Sequence, residues 1–177
     1  MLLPILKYPH PDLARACEPV REIDDSIREL AANMADTMYG SLGIGLAASQ
    51  VGRLIRLVVI DVSGPGERSE LMTLINPKLT PIGEPMDSDE GCLSVPEYRN
   101  TIKRSSRVRC EALDLDGRSV DFEAEDTLAV CLQHETDHLD GRLFLDHLSR
   151  LKRSLYDARL KRQAKRDQEA NPPSSSF

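Results

Sequence analysis

No apolar run in this chain approaches the roughly 18 residues that a membrane-spanning helix requires. The N-terminal stretch MLLPILKYPHPDLARA has a six-residue apolar start interrupted by Pro4, with no basic residues ahead of it. Neither a secretory leader nor an anchor is expected there. Cysteine is sparse: Cys17, Cys92, Cys110 and Cys131 lie far apart and form no C-x-x-C pair. That spacing argues against a disulfide framework and leaves reduced thiols or a metal ligand. Internal repeats are absent, and 177 residues is about the length of one globular domain. These absences predict a soluble, cytoplasmic protein built around one core.

The net charge of −6 conceals a division. Residues 149–166 carry eight Lys or Arg against one acid, Asp157, leaving 15 basic and 28 acidic side chains elsewhere. An acidic body with a basic end calls for a polyanionic partner at that end only.

Asp24, Asp25 and Ser26 offer capping oxygens ahead of Ile27, Leu30, Ala31, Met34 and Met38, an apolar spacing that predicts an amphipathic helix ending near Gly40. The glycine-rich SLGIGLAASQVG follows, where backbone can approach backbone closely. Leu54–Val62, Leu71–Leu79, Thr101–Leu115 and Arg118–Ala124 read as strands, the last two flanking an Asp116-Gly117 hairpin turn. Alternation around Cys110 points its thiol into the core. Asp87-Ser88-Asp89-Glu90 reads as an acidic turn, and Asp126 or Thr127 as the cap of a helix running to Asp140 with Gly141 as its stop. Leu148, Leu151 and Leu155 give a last helix an apolar stripe, and Asn171–Phe177 has nothing to fold.

The second-last helix contains H-E-x-x-H. On a helix, residues i and i+4 stand one above the other, so His134 and His138 can aim nitrogens at one metal ion with Glu135 beside it. A third ligand is needed. The metzincin pattern would put histidine where Phe144 stands, which excludes that protease class. Glu169 lies in the C-terminal tail, and Cys131 is seven residues from His138, about 10.5 Å of helix rise. Cys131 is therefore read as lining. Cys92, between Gly91 and Leu93, is open to two readings, ligand or structural thiol.

GIGLAASQ (Gly43 to Gln50), EGCLS (Glu90 to Ser94) and QHETDHLDG (Gln133 to Gly141) resemble, in order and spacing, the three motifs of the peptide deformylases. The likeness runs from the region of Pro4 to about Leu148. The resemblance implies that Cys92, His134 and His138 hold one divalent metal ion, ferrous iron in the cell, with nickel, cobalt or zinc as replacements. It implies Glu135 as proton carrier and the Leu93 N–H and Gln50 amide as donors to a developing oxyanion. Gly43, Ile44 and Gly45 are then an edge against which an extended peptide pairs. Ile44, Ser88, Glu90, Thr127, Val130, Cys131 and His134 line a methionine pocket, Gly91 adjoins it, and Arg99 reaches the peptide beyond. Ser49, Thr127 and Thr136 depart from residues common in relatives, and Thr127 bears on the shape of the pocket.

The expected fold is α+β: antiparallel sheets around a central helix carrying H-E-x-x-H, with an N-terminal and a C-terminal helix. Residues 1–148 form the catalytic domain, 149–168 a basic helix and 169–177 a disordered tail. The implied activity is removal of the N-formyl group from the formyl-methionine of new peptides, releasing formate. Formylated nascent peptides are the expected partners, with ribosome contact through the basic helix and with neither membrane nor DNA.

Overall fold

A computed structural model describes residues 1–64 and 66–170, in two compact units divided between Phe144 and Leu145. The first unit begins with an extended segment and the helix α1 (Asp25–Gly40). Seven strands follow: β1 (Gly45–Ala47), β2 (Leu57–Ile60), β3 (Met72–Pro81), β4 (Pro85–Cys92), β5 (Val95–Ser105), β6 (Arg107–Leu113) and β7 (Ser119–Glu125). Helix α2 (Asp126–Leu139) closes the unit, and the second unit holds α3 (Arg150–Ala170). The architecture is the expected α+β one.

Five strands form an antiparallel sheet in the order β1-β2-β3-β6-β7, while β4 and β5 pair only with each other. The four residues of β2, LVVI, are all buried because both sheet faces are covered. Leu57 and Val59 join Met34 and Met38 of α1 on one face. Val58 and Ile60 join Ala129, Cys131 and Leu132 of α2, together with Cys110, on the other. A strand covered on both faces shows a continuous apolar run instead of alternation. Burial of each Val, Leu or Ile there contributes about 1.5–3 kcal/mol. Among the described residues no helix is long and apolar enough to cross a membrane.

Helix α1 starts where expected: Asp24 accepts from the Ile27 N–H at 3.1 Å. It ends in a left-handed residue, Leu42 at φ 56°, which lets the Gly43 N–H donate to the Met38 carbonyl at 2.9 Å. The Asp116-Gly117 turn forms as expected, with Gly117 at φ 75° and Asp114 accepting from the N–H groups of Asp116 and Arg118.

Three expectations need correction. Asp87-Ser88-Asp89-Glu90 is not a turn but the body of β4. Its acids are matched across the strand pair: Asp87 opposite Lys103 at 2.7 Å, and Asp89 bonded to Arg99 at 3.1 Å. Opposite charges facing each other stabilise a polar hairpin that composition alone does not reveal. Thr101–Leu115 is not one strand, because the chain leaves the two-stranded sheet at Ser105 and enters the five-stranded sheet at Arg107. At that crossing a Cβ on Gly83 would lie 2.5 Å from the Arg107 nitrogen, so the backbones touch. Helix α2 is preceded by Glu125 as its cap residue, one position earlier than expected, and Asp126 takes φ 52°. Gly141, at φ 70°, does follow its end. The basic helix, expected over 149–168, spans Arg150–Ala170 and so takes in the first two residues of the expected 169–177 tail; the expectation for 171–177 lies outside the described residues.

Candidate active site

The C-terminal half of α2 carries His134, Glu135 and His138 toward the β4–β5 hairpin, whose two-residue turn, Leu93-Ser94, leaves Cys92 at the tip. The Cys92 sulfur lies 3.2 Å from His138 Nε2, and one ligand atom each of Cys92, His134 and His138 falls within 4.8 Å of the others. A tetrahedral ion holding one sulfur and two nitrogens requires those atoms roughly 3.4–3.6 Å apart. The donor set fits a divalent transition ion, and three protein ligands leave a coordination position open. Cys131, which shares the helix, hydrogen-bonds the Ile44 carbonyl at 3.6 Å and stays outside the cluster, as expected of a lining residue.

The two imidazoles are held differently. His134 Nδ1 lies 2.8 Å from a Glu90 oxygen, which leaves Nε2 for a ligand. Glu90 in turn receives two bonds from Arg104, at 2.7 and 3.0 Å, and Arg104 donates a third to Asp137 at 2.6 Å. Burial raises the Glu90 carboxyl, but His134 and Arg104 outweigh it and hold the group at about 2. Burial likewise raises the Cys92 thiol, yet the neighbouring imidazoles, His138 foremost, bring it down to about 5. The thiolate is the form that binds metal. His134 is opposed by burial, but Cys92 and Glu90 draw it well above the ordinary imidazole range. Phe144, the residue that replaces a third histidine, stacks on the His134 ring at 6.3 Å between centroids.

Glu135 is 4 % exposed, and its Oε2 has no hydrogen-bond partner among the described residues. Burial raises its carboxyl, with the two histidines opposing. Burial thus favours the protonated form of the carboxyl more than in water. Space for it comes from Gly45: a Cβ there would stand 2.4 Å from Glu135 Oε1 and 2.7 Å from the Cys131 sulfur.

Gln50 sits in a single helical turn after β1. Its Oε1 accepts from the Ala47 N–H at 2.9 Å, which fixes the amide so that Nε2 points to Ser94 Oγ at 3.1 Å and to the Cys92 sulfur at 3.6 Å. The N-terminal segment ties these pieces together: the Leu6 N–H donates to the Gln50 carbonyl and the Tyr8 N–H to the Ser94 carbonyl, both at 2.8 Å.

A cavity of about 1090 Å³ opens over this cluster. The residues named from the sequence as peptide contacts line it: Gly43, Ile44 and Gly45 on one wall, Ser88, Glu90 and Gly91 from β4, Thr127, Val130, Cys131 and His134 from α2, and Arg99. Glu90 does more than line, since its carboxylate binds His134. Sequence reasoning passed over Arg104, Asp137 and Ser94, which hold the site from behind, and Leu42 and Tyr98, which line it. For Arg104 a signal existed. Once β4 and β5 pair, Lys103 stands opposite Asp87 and Arg104 opposite Met86, which brings the guanidinium within reach of Glu90.

A buried carboxylate beside a Cys-His-His cluster at a large cavity is an arrangement suited to hydrolysis. The sequence profile of the polypeptide deformylase family matches residues 2–154, and the chain belongs to that family. A peptide deformylase of Acinetobacter baumannii (strain SDF) is 53 % identical over 153 residues, 86 % of each chain. The crystal structure of a peptide deformylase from Legionella pneumophila superposes with a TM-score of 0.88 at 40 % identity, covering 97 % of this chain and 100 % of that one. That of Ehrlichia chaffeensis in complex with actinonin gives 0.84 at 40 % identity, over 92 % and 97 % of the two chains.

Proposed function

We propose that this protein hydrolyses the N-formyl group from the formyl-methionine of newly made peptides in the cytoplasm, releasing formate, and that residues 1–148 carry the activity. The observation that carries the reading is the convergence of Cys92, His134 and His138 beside the buried Glu135, whose Oε2 has no hydrogen-bond partner among the described residues, at the cavity. These three side chains hold one divalent ion, ferrous iron in the cell and replaceable by nickel, cobalt or zinc. When bound, such an ion supplies the Lewis acidity that makes water nucleophilic at neutral pH.

The chain's own residues do the rest. Glu135 takes a proton from the attacking water and returns it to the departing amine. As charge grows on the former carbonyl oxygen, the Leu93 N–H and Gln50 Nε2 donate to it, each donor typically worth about 3 kcal/mol. The Ala47 N–H bond to Gln50 supports this role, because it leaves the amide nitrogen facing the site. The peptide lies extended against Gly43, Ile44 and Gly45, where backbone pairing tolerates any downstream side chain. Methionine enters between Ser88, Glu90, Thr127, Val130 and Cys131, and Arg99 meets the peptide past it.

The basic residues 149–168 dock on ribosomal RNA through phosphate contacts, where nascent chains emerge. Deleting them should abolish ribosome co-sedimentation at low salt, and unchanged sedimentation would remove this partner. A formate-release assay on a formylated Met-Ala peptide tests the central reading. Formate with an intact peptide bond supports it. Internal cleavage, or no formate from metal-loaded protein, overturns it.

A further inference from the structure

The β4–β5 hairpin brings Cys92 to α2, yet it belongs to a sheet of its own. Backbone bonds join it to the five-stranded sheet at its base, where the Ile82 and Gly83 N–H groups donate to Arg107 and Ser106 donates to Glu84. Its tip is tied to the N-terminal segment and to Gln50, through the Tyr8 N–H to the Ser94 carbonyl at 2.8 Å and Gln50 Nε2 to Ser94 Oγ at 3.1 Å, and side chains of α2 hold the strands behind the tip against the helix.

Helix α2 carries a second i, i+4 pair beside the histidines: Gln133 and Asp137. Gln133 Oε1 accepts from the Ser105 N–H and its Nε2 donates to the Ser105 carbonyl, both at 2.9 Å. That is a two-point bond to strand backbone, of the kind a neighbouring strand would make. One turn along, Asp137 accepts from Arg104, which also holds Glu90 with two bonds. Arg104 is 5 % exposed and Glu90 5 %, so these ion pairs are shielded from solvent and bind rigidly. Ser105 and Arg104 lie on β5, Glu90 on β4 two residues before Cys92.

We infer that Gln133 and Asp137, acting through Ser105 and Arg104, form a clamp that sets the distance from the Cys92 sulfur to the imidazoles. The clamp thereby determines how tightly the site holds its ion. Gln133, Asp137 and Arg104 are positioning residues and touch no reacting atom. One face of α2 supplies two ligands, and the adjoining face fixes the third, which comes from elsewhere in the chain. The inference rests on the ligand set proposed above.

The test uses cobalt(II) as probe in the full-length protein, read by its visible d–d bands, its sulfur-to-cobalt charge-transfer band in the near ultraviolet, and its affinity in chelator competition. Wild-type protein should show both kinds of band; absence of the charge-transfer band would reject Cys92 as ligand and so the reading beneath this one. Gln133→Met and Arg104→Met should each weaken cobalt binding about 10- to 100-fold and diminish or shift the charge-transfer band, as loss of outer contacts does elsewhere. Should either fail to fold, Gln133→Glu and Arg104→Lys take its place. Each keeps part of the clamp and should restore affinity toward wild type. Folded variants that bind cobalt with unchanged affinity and spectrum, while wild type shows the sulfur band, would overturn the clamp.

Discussion

Replacing Gly45 by alanine adds one methyl group at the point where β1 passes the catalytic helix. A Cβ there would meet Glu135 Oε1 at 2.4 Å, Glu135 Cδ at 2.9 Å and Cys131 Sγ at 2.7 Å. Ordinary contact begins near 3.4 Å, so the carboxylate must retreat by about 1 Å, and both neighbours are buried with little room to do so. Overpacking of this kind costs about 1–3 kcal/mol. In a domain of this size each kcal/mol lowers Tm by roughly 2–4 °C, so a fall of about 2–12 °C is expected by differential scanning calorimetry. The same 1 Å displacement of a proton carrier should lower kcat for formate release about 10²-fold with little change in KM. Gly40→Ala is the control: its Cβ would meet only a methyl of Leu2 at 3.2 Å, the end of a flexible side chain, at the last turn of α1. Gly45→Ala with wild-type Tm and wild-type kcat would refute the close approach of β1 to Glu135 and the role assigned to that carboxylate.

Glu135→Ala should keep stoichiometric metal, measured by elemental analysis, while losing about 10²- to 10⁴-fold in turnover, the usual contribution of a positioned proton carrier. Glu90 titrates at about 2 in the folded chain against 4.5 when free. Its folded pKa is depressed, so the stability it confers is complete above 4.5 and drains away as pH falls from there toward 2. The amount is on the order of 3 kcal/mol. Urea denaturation between pH 5 and 3 should show that loss in wild type and a flatter profile in Glu90→Gln. Leu42→Gly should raise Tm, since leucine at φ 56° bears a left-handed strain of about 1–2 kcal/mol that glycine avoids. A lower Tm for that variant would show that the exposed leucine makes contacts worth more than the strain.

How much of this molecule could be read in its sequence depended on whether an interaction was local. The helix carrying His134 and His138 announced itself because ligation at i and i+4 needs only a helical period, and α1 because Asp24 and the Met34–Met38 face lie within one element. Cys92 was different. Nothing within forty residues of it says that it meets two imidazoles, and residue spacing alone left it open between ligand and structural thiol. Only likeness to a family chose between them. What stayed hidden was the apparatus connecting distant segments: β4, mistaken for a turn because its acids are neutralised by partners across β5, and Arg104, whose three bonds join β4 to α2. Those charges look like a solvated surface until the strand pairing puts each acid beside its base. The cross-strand register of Asp87 with Lys103 supplies the missing evidence, since acids before a short turn and bases after it satisfy each other when the two segments pair as a hairpin. The cysteine motif is carried on that hairpin. The strands most polar in composition are therefore the ones that deliver the thiolate to the helix, and substitutions that look neutral on a charged surface should weaken a site that they do not touch.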